Sequence, residues 1–164
     1  MQITFLEADR PLCKAYALDS NGNLTKESYP KVAEFSSQTT NVRDLADLAR
    51  ELELAAERGA CLLKGNVARP LVVESRAGST DPNATTEFIC LDFDRLPPGT
   101  SIAQALGLMG LGGVSYALQY SASQGIETDR GDTGHVFMQL STPAHPSSLK
   151  QWLVHLNLST PILN

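Results

Sequence analysis

Aromatic residues are scarce in this chain, at 6% of its 164 positions, although hydrophobic residues make up 42%. A core of ordinary size is therefore possible, but aliphatic side chains must fill most of it. No apolar run approaches the roughly 20 residues that a membrane-spanning helix needs. The opening residues, Met1-Gln2-Ile3-Thr4-Phe5, lack the basic stretch and apolar segment of a secretory leader. Cysteine is limited to Cys13, Cys61 and Cys90, odd in number and far apart, which excludes a CxxC pair and zinc-finger spacing. These thiols are expected to be buried and reduced in a cytosolic protein. Positive charge is also short. The net charge of −5 argues against a generic basic nucleic-acid binder. Residues 1–80 hold 10 Lys/Arg against 11 Asp/Glu, and residues 81–164 only 3 against 7. Any strong grip on DNA or RNA would need further chain or a partner.

The length suits one domain, and no internal repeat, low-complexity tract or long linker interrupts it. Residues 2–6 and 12–18 read as strands, and Asn21-Gly22 marks a hairpin turn after the second. A helix is predicted over 41–58, with Asn41 as its cap, Gly59 just past its end, and Val42, Leu45, Leu48, Leu52 and Ala56 as its apolar stripe. Short apolar runs at Cys61–Leu63 and Leu71–Val73 suit buried strands. After the loop Glu74–Asn83 come a strand from Glu87 to Asp94 and the Pro97-Pro98-Gly99 break. A short helix over 101–109 is capped by Thr100. Strands at 114–121 and 135–140 are joined by a polar loop. A last helix spans 147–157, with Leu149, Trp152, Leu153 and Leu156 on one face. This order predicts an α/β (α+β) fold in which helices flank a mixed sheet.

Three segments could carry chemistry. In Ile89-Cys90-Leu91-Asp92-Phe93-Asp94 the period of two puts Ile89, Leu91 and Phe93 on the core face, and Cys90, Asp92 and Asp94 on the other. Two neighbouring carboxylates repel unless they are protonated, solvated or bridged by a cation. Mg²⁺ or Mn²⁺ prefers such oxygen ligands. The pair fits a metal site against a nucleotide's phosphates, and equally a solvated strand end. His135 opens a strand just after Gly134, beside the polar loop Glu127–Thr133. There it can donate to a phosphate oxygen, ligate a metal, or make a plain surface hydrogen bond. Glu74-Ser75-Arg76-Ala77-Gly78-Ser79-Thr80 offers a fork donor and hydroxyls suited to phosphate, but matches no Walker loop and also fits a simple turn.

Taken in order, Lys64-Gly65, the Glu74–Thr80 loop, Leu91-Asp92-Phe93-Asp94, Tyr120-Ser121-Ala122-Ser123 and Gly134-His135-Val136-Phe137 resemble replication primases of phages and plasmids. Those belong to the archaeo-eukaryotic primase superfamily. The resemblance covers roughly residues 1–157, and the order of its short motifs carries more weight than any one of them. It implies an RRM-like catalytic sheet and template-directed nucleotidyl transfer, that is, a DNA primase-polymerase in the cytoplasm of a bacterial host. Asp92 and Asp94 would hold Mg²⁺ or Mn²⁺, and His135 would contact the incoming nucleotide's phosphates. Arg76, Ser79, Ser121 and Ser123 would contact nucleotide or template. The implied partners are nucleoside triphosphates, single-stranded DNA and a replicative helicase domain in the same or another chain, with no membrane.

Two departures stand out. The family's serine sits close before its histidine, whereas Gln124 to Gly134 separate Ser123 from His135. The family also has a third metal-binding acid on a later strand, and Leu158–Asn164 offers none. The chain is therefore expected to be the amino-terminal part of a longer primase-polymerase, with Ile162 and Leu163 entering a further strand, or else a degenerate relative. The alternative function is a non-catalytic replication module that binds nucleic acid or docks on a helicase.

Overall fold

The computed structural model describes residues 1–126 and 129–160. Ile162 and Leu163, expected to enter a strand, lie outside the described residues. The fold class is α+β, and the chain divides into two compact units, Met1–Ala84 and Thr85–Asn164, where the sequence reads as a single domain.

In the first unit, β1 (Gln2–Glu7) is the middle strand of a three-stranded sheet, flanked by β4 (Ser36–Asn41) and β5 (Cys61–Leu63). Its four central residues, Ile3 to Leu6, are all buried, although side chains alternate between its two faces. β2 (Ala15–Leu18) and β3 (Leu24–Glu27) form a separate hairpin. Its turn holds Asn21-Gly22, and the Asp19 carboxylate accepts from the Asn21 and Asn23 backbone N–H groups, both at 2.8 Å. The helix α1 (Leu45–Glu57) starts later than expected. Asn41 is spent on β4, paired with Gln2, and Asp44 caps the helix by accepting from Asp47 N–H at 2.8 Å. Leu48, Leu52 and Ala55 form its buried stripe, and Gly59, at φ 68°, follows its end.

Leu71–Val73 is not a strand. Leu71 alone enters the core, beside Leu6 and Leu12, while Val72 and Val73 are exposed. Val73 has φ 49°, the left-handed region where a β-branched side chain crowds the backbone. Phe35 and Glu74, which exchange backbone hydrogen bonds at 2.8 and 3.1 Å, hold it there. Replacing Val73 by Gly is expected to raise the melting temperature slightly. Relief of about 1–2 kcal/mol of strain outweighs the glycine's entropic penalty of about 0.5–1 kcal/mol. An unchanged or lower melting temperature would show that Val73 is not strained.

Two carboxylates of this unit are built for neutral pH. Asp47 accepts from the Arg43 guanidinium, with Nη2–Oδ1 at 2.9 Å, and this holds its pKa at about 2 instead of 3.8. Glu74 accepts a bidentate fork from Arg69 at 2.5 and 2.6 Å and the Val72 N–H at 3.2 Å, which brings it from 4.5 to about 2. A carboxyl depressed on folding stabilises above its unfolded pKa and loses that contribution as pH falls through the folded one. Melting temperature is therefore expected to drop between about pH 4.5 and pH 2. The double variant Asp47→Asn, Glu74→Gln should show a flatter acid limb in the same titration of thermal melts.

The second unit holds a three-stranded sheet with β8 (Gly134–Ala144) in the middle, between β6 (Thr86–Phe93) and β7 (Ala117–Tyr120). All three sheets of the described residues pair antiparallel throughout, in place of the expected mixed sheet. Ile89, Leu91 and Phe93 from β6 and Val136 and Met138 from β8 meet Ile102, Ala105 and Leu106 of α2 (Ile102–Leu108) in one core cluster. Ser101, not Thr100, caps α2. Its hydroxyl accepts from Gln104 N–H at 3.1 Å while the Gln104 side chain accepts from Ser101 N–H at 2.8 Å, a complete capping box. From α3 (Pro146–Ser159), Leu149 and Leu153 pack on this cluster and Leu156 is buried, but Trp152 is 37% exposed and stands apart from the apolar face assigned to it.

Candidate active site: an Asp–His pair across two strands

The ladder between β6 and β8 runs in step from Phe88 opposite Gln139 to Phe93 opposite Gly134. Asp92 is therefore directly opposite His135, and Cys90 opposite Phe137. Since Ile89, Leu91 and Phe93 fill the core, Cys90, Asp92, His135 and Phe137 share the other face of the sheet. β7 adds Gln119, opposite His135 on its second side. His135 Nε2 is 3.4 Å from Asp92 Oδ1, and both side chains are partly exposed, at 35% and 43%. The Phe137 ring, 6.3 Å from the imidazole, walls it on the strand side.

The sequence expectation is thus met for Asp92 and His135, on neighbouring strands and one face. β6 is an edge strand, and the middle strand carries the histidine. Asp94 is exposed and falls just beyond the end of β6, and its backbone carbonyl accepts from Arg130 Nη1 at 3.2 Å.

No family model matches this chain, and comparison with curated proteins and with solved structures finds no similar one.

The hydroxyls of Ser121 and Ser123 lie in a hydrogen-bond network of the β7–β8 connection. Ser121 Oγ lies 2.6 Å from Thr133 Oγ1 and 2.9 Å from Ser123 Oγ. Thr133 is buried, and its N–H donates to Gln124 Oε1 at 2.7 Å. Gln124 Nε2 in turn donates to Asp132 Oδ1 at 2.8 Å, and Asp132 Oδ2 accepts from Ile102 N–H at 3.2 Å. This network ties the β7–β8 connection to the start of α2. It brings Ser121 and Ser123 to the hydroxyl two residues before His135, which is Thr133. Sequence reading missed Thr133, although Thr133-Gly134-His135 places a hydroxyl close before the histidine. Eleven residues, Gln124 to Gly134, lie between Ser123 and His135, and only Gly134 lies between Thr133 and His135.

Arg76 and Ser79 belong to the Met1–Ala84 unit. Ser79 is buried, with Oγ donating to the Arg76 carbonyl at 2.7 Å, so its hydroxyl closes the loop; the Arg76 side chain is exposed.

A divalent metal is what the resemblance implies here. The donor chemistry of Asp92 and Asp94 fits Mg²⁺ or Mn²⁺, which take carboxylate oxygens. Among the described residues, however, no group of three or more His, Cys, Asp or Glu side chains is arranged to hold a metal ion. Two carboxylates would leave most of an octahedral shell to water and substrate. No helix of the described residues is long and apolar enough to cross a membrane.

Proposed function

We propose that this chain is the catalytic part of a template-directed nucleotidyltransferase, a DNA primase-polymerase of the archaeo-eukaryotic type. The observation that carries the reading is the cross-strand pair Asp92–His135, a carboxylate and an imidazole in register on the sheet face opposite the core. Asp92 and Asp94 would hold Mg²⁺ or Mn²⁺, which when bound neutralises the developing charge of the transferred phosphoryl group. His135 donates from Nε2 to a phosphate oxygen of the incoming nucleoside triphosphate, and Asp92 keeps the imidazole oriented until that phosphate arrives. The RRM-like primase fold, the single-stranded DNA template and a helicase partner belong to the same reading.

A second reading is favoured by the two-carboxylate count: a replication module that binds nucleic acid or docks on a helicase without catalysis. Primer synthesis and primer extension on single-stranded DNA, with Mg²⁺ or Mn²⁺, decide between them. Product that requires the metal and the template supports the enzyme. Template binding without product, from folded protein at every metal concentration tried, selects the second reading.

A further inference from the structure

The segment leading into His135 is fixed to the end of β6 by a series of backbone contacts. Arg130 Nη1 donates to the Asp94 carbonyl at 3.2 Å, Gly131 N–H to the Leu96 carbonyl at 2.8 Å, and Asp132 N–H to the Thr100 carbonyl at 2.9 Å. Gly131 sits where no side chain fits: a Cβ would overlap the Thr100 carbonyl oxygen and come within 2.6 Å of that of Pro97. Phe93, next to Asp94, is paired with Gly134, next to His135. The Arg130 guanidinium is therefore held at the same strand end as Asp92, Asp94 and His135.

This end of the sheet is otherwise acidic, with Asp92, Asp94, Asp129 and Asp132 against Arg95, Arg130 and His135. Asp132 is engaged by Gln124 and the α2 amide. Arg130 is about one-third exposed, and its Nε faces Asp129 at 3.6 Å, whose side chain is 83% exposed. An exposed pair at that distance is weak, worth at most about 1 kcal/mol. A phosphate group offers stronger, charge-assisted bonds to a planar fork than Asp129 does at that distance.

We infer that Arg130 is a substrate-binding residue that takes the outer phosphates of the nucleoside triphosphate, beyond the one His135 contacts. The inference rests on the nucleotidyltransferase reading and adds a selection by phosphate number: a triphosphate reaches Arg130 and a monophosphate does not. The Asp94 carbonyl fixes one edge of the guanidinium, so the cation is oriented before the substrate arrives.

The test is titration calorimetry on the full chain with Mg²⁺ and deoxyadenosine triphosphate, deoxyadenosine monophosphate, or a single-stranded oligothymidylate. Arg130→Gln removes the charge; Arg130→Lys keeps it. Arg130→Gln is expected to weaken the triphosphate on the order of 10–100-fold, with the monophosphate and the oligonucleotide unchanged, and Arg130→Lys to retain most of the affinity. Equal triphosphate affinity in Arg130→Gln overturns the inference while leaving the enzyme reading in place. Loss of oligonucleotide affinity alone makes Arg130 a template contact and overturns it too. Parent protein that binds no triphosphate removes both. If Arg130→Gln fails to fold, the parent protein decides: a triphosphate bound no more tightly than the monophosphate overturns the phosphate-number claim.

Discussion

Asp92→Asn is expected to lower nucleotide addition by about 100-fold or more while leaving the melting temperature close to that of the parent. A carboxylate that anchors the metal or orients the imidazole fixes a reacting geometry, and small misplacements there cost on the order of 10²-fold in rate. Its pairing with His135 adds little to stability, because the two partly exposed side chains meet at 3.4 Å. Pairs of that kind contribute about 0.2–1 kcal/mol. Asp94→Asn should behave alike, since its backbone carbonyl, which Arg130 engages, survives the substitution. His135→Ala should act chiefly on the apparent KM for the nucleotide. The measurements are steady-state primer extension and thermal melts on the same preparations. Parent rates in both Asp variants would remove the catalytic assignment and leave the binding-module reading.

Gly131→Ala is expected to be among the most damaging single substitutions in the Thr85–Asn164 unit, at about 3 kcal/mol. The added methyl meets backbone oxygens of Thr100 and Pro97 and the Leu96 side chain at 3.1 Å, none of them the flexible end of a side chain. Overpacking against such neighbours typically costs about 1–3 kcal/mol, and backbone that cannot yield puts the figure at the upper end. Relief would come only by breaking the Gly131–Leu96 and Asp132–Thr100 backbone bonds. For a unit of this size the melting temperature should fall by more than about 10 °C. A fall of less than about 3 °C would mean that this loop moves aside easily, and it would weaken the case for a preset Arg130.

The shared face of Asp92 and His135 was legible in the sequence, because period-two alternation in Ile89–Asp94 and Gly134–Leu140 puts Ile89, Leu91, Phe93, Val136 and Met138 in the core; that Phe88 and Phe137 are buried on the other face was not. What alternation cannot report is rank in the sheet: β6 is at the edge and β8 in the middle. β4 was missed because Ser36-Ser37-Gln38-Thr39-Thr40-Asn41 has no apolar stripe; it is held by pairing with β1, a long-range effect. Its loss from the reading let Asn41 pass for a helix cap. The Ser101–Gln104 capping box was written in the local sequence and overlooked in favour of Thr100. Leu71–Val73 misled in the opposite way, three apolar residues of which only the first is buried. Arg130 and Thr133 gave no periodic signal, since their roles depend on loop contacts to residues some 30 or 10 positions away.

The pairing of β6 with β8 loses step at one place only. Between Thr86–Ala144 and Phe88–Gln139, two positions pass on β6 while five pass on β8. The slack lies at the end of the ladder remote from Asp92 and His135. Length changes at Leu140–Pro143 can therefore be absorbed locally, and this stretch can drift in evolution or accept an inserted tag. A single residue added between Gly134 and His135 has no such outlet: it turns His135 toward the core and Val136 outward. The two halves of one strand are thus under opposite mutational regimes, one elastic and one rigid, with the boundary at Gln139.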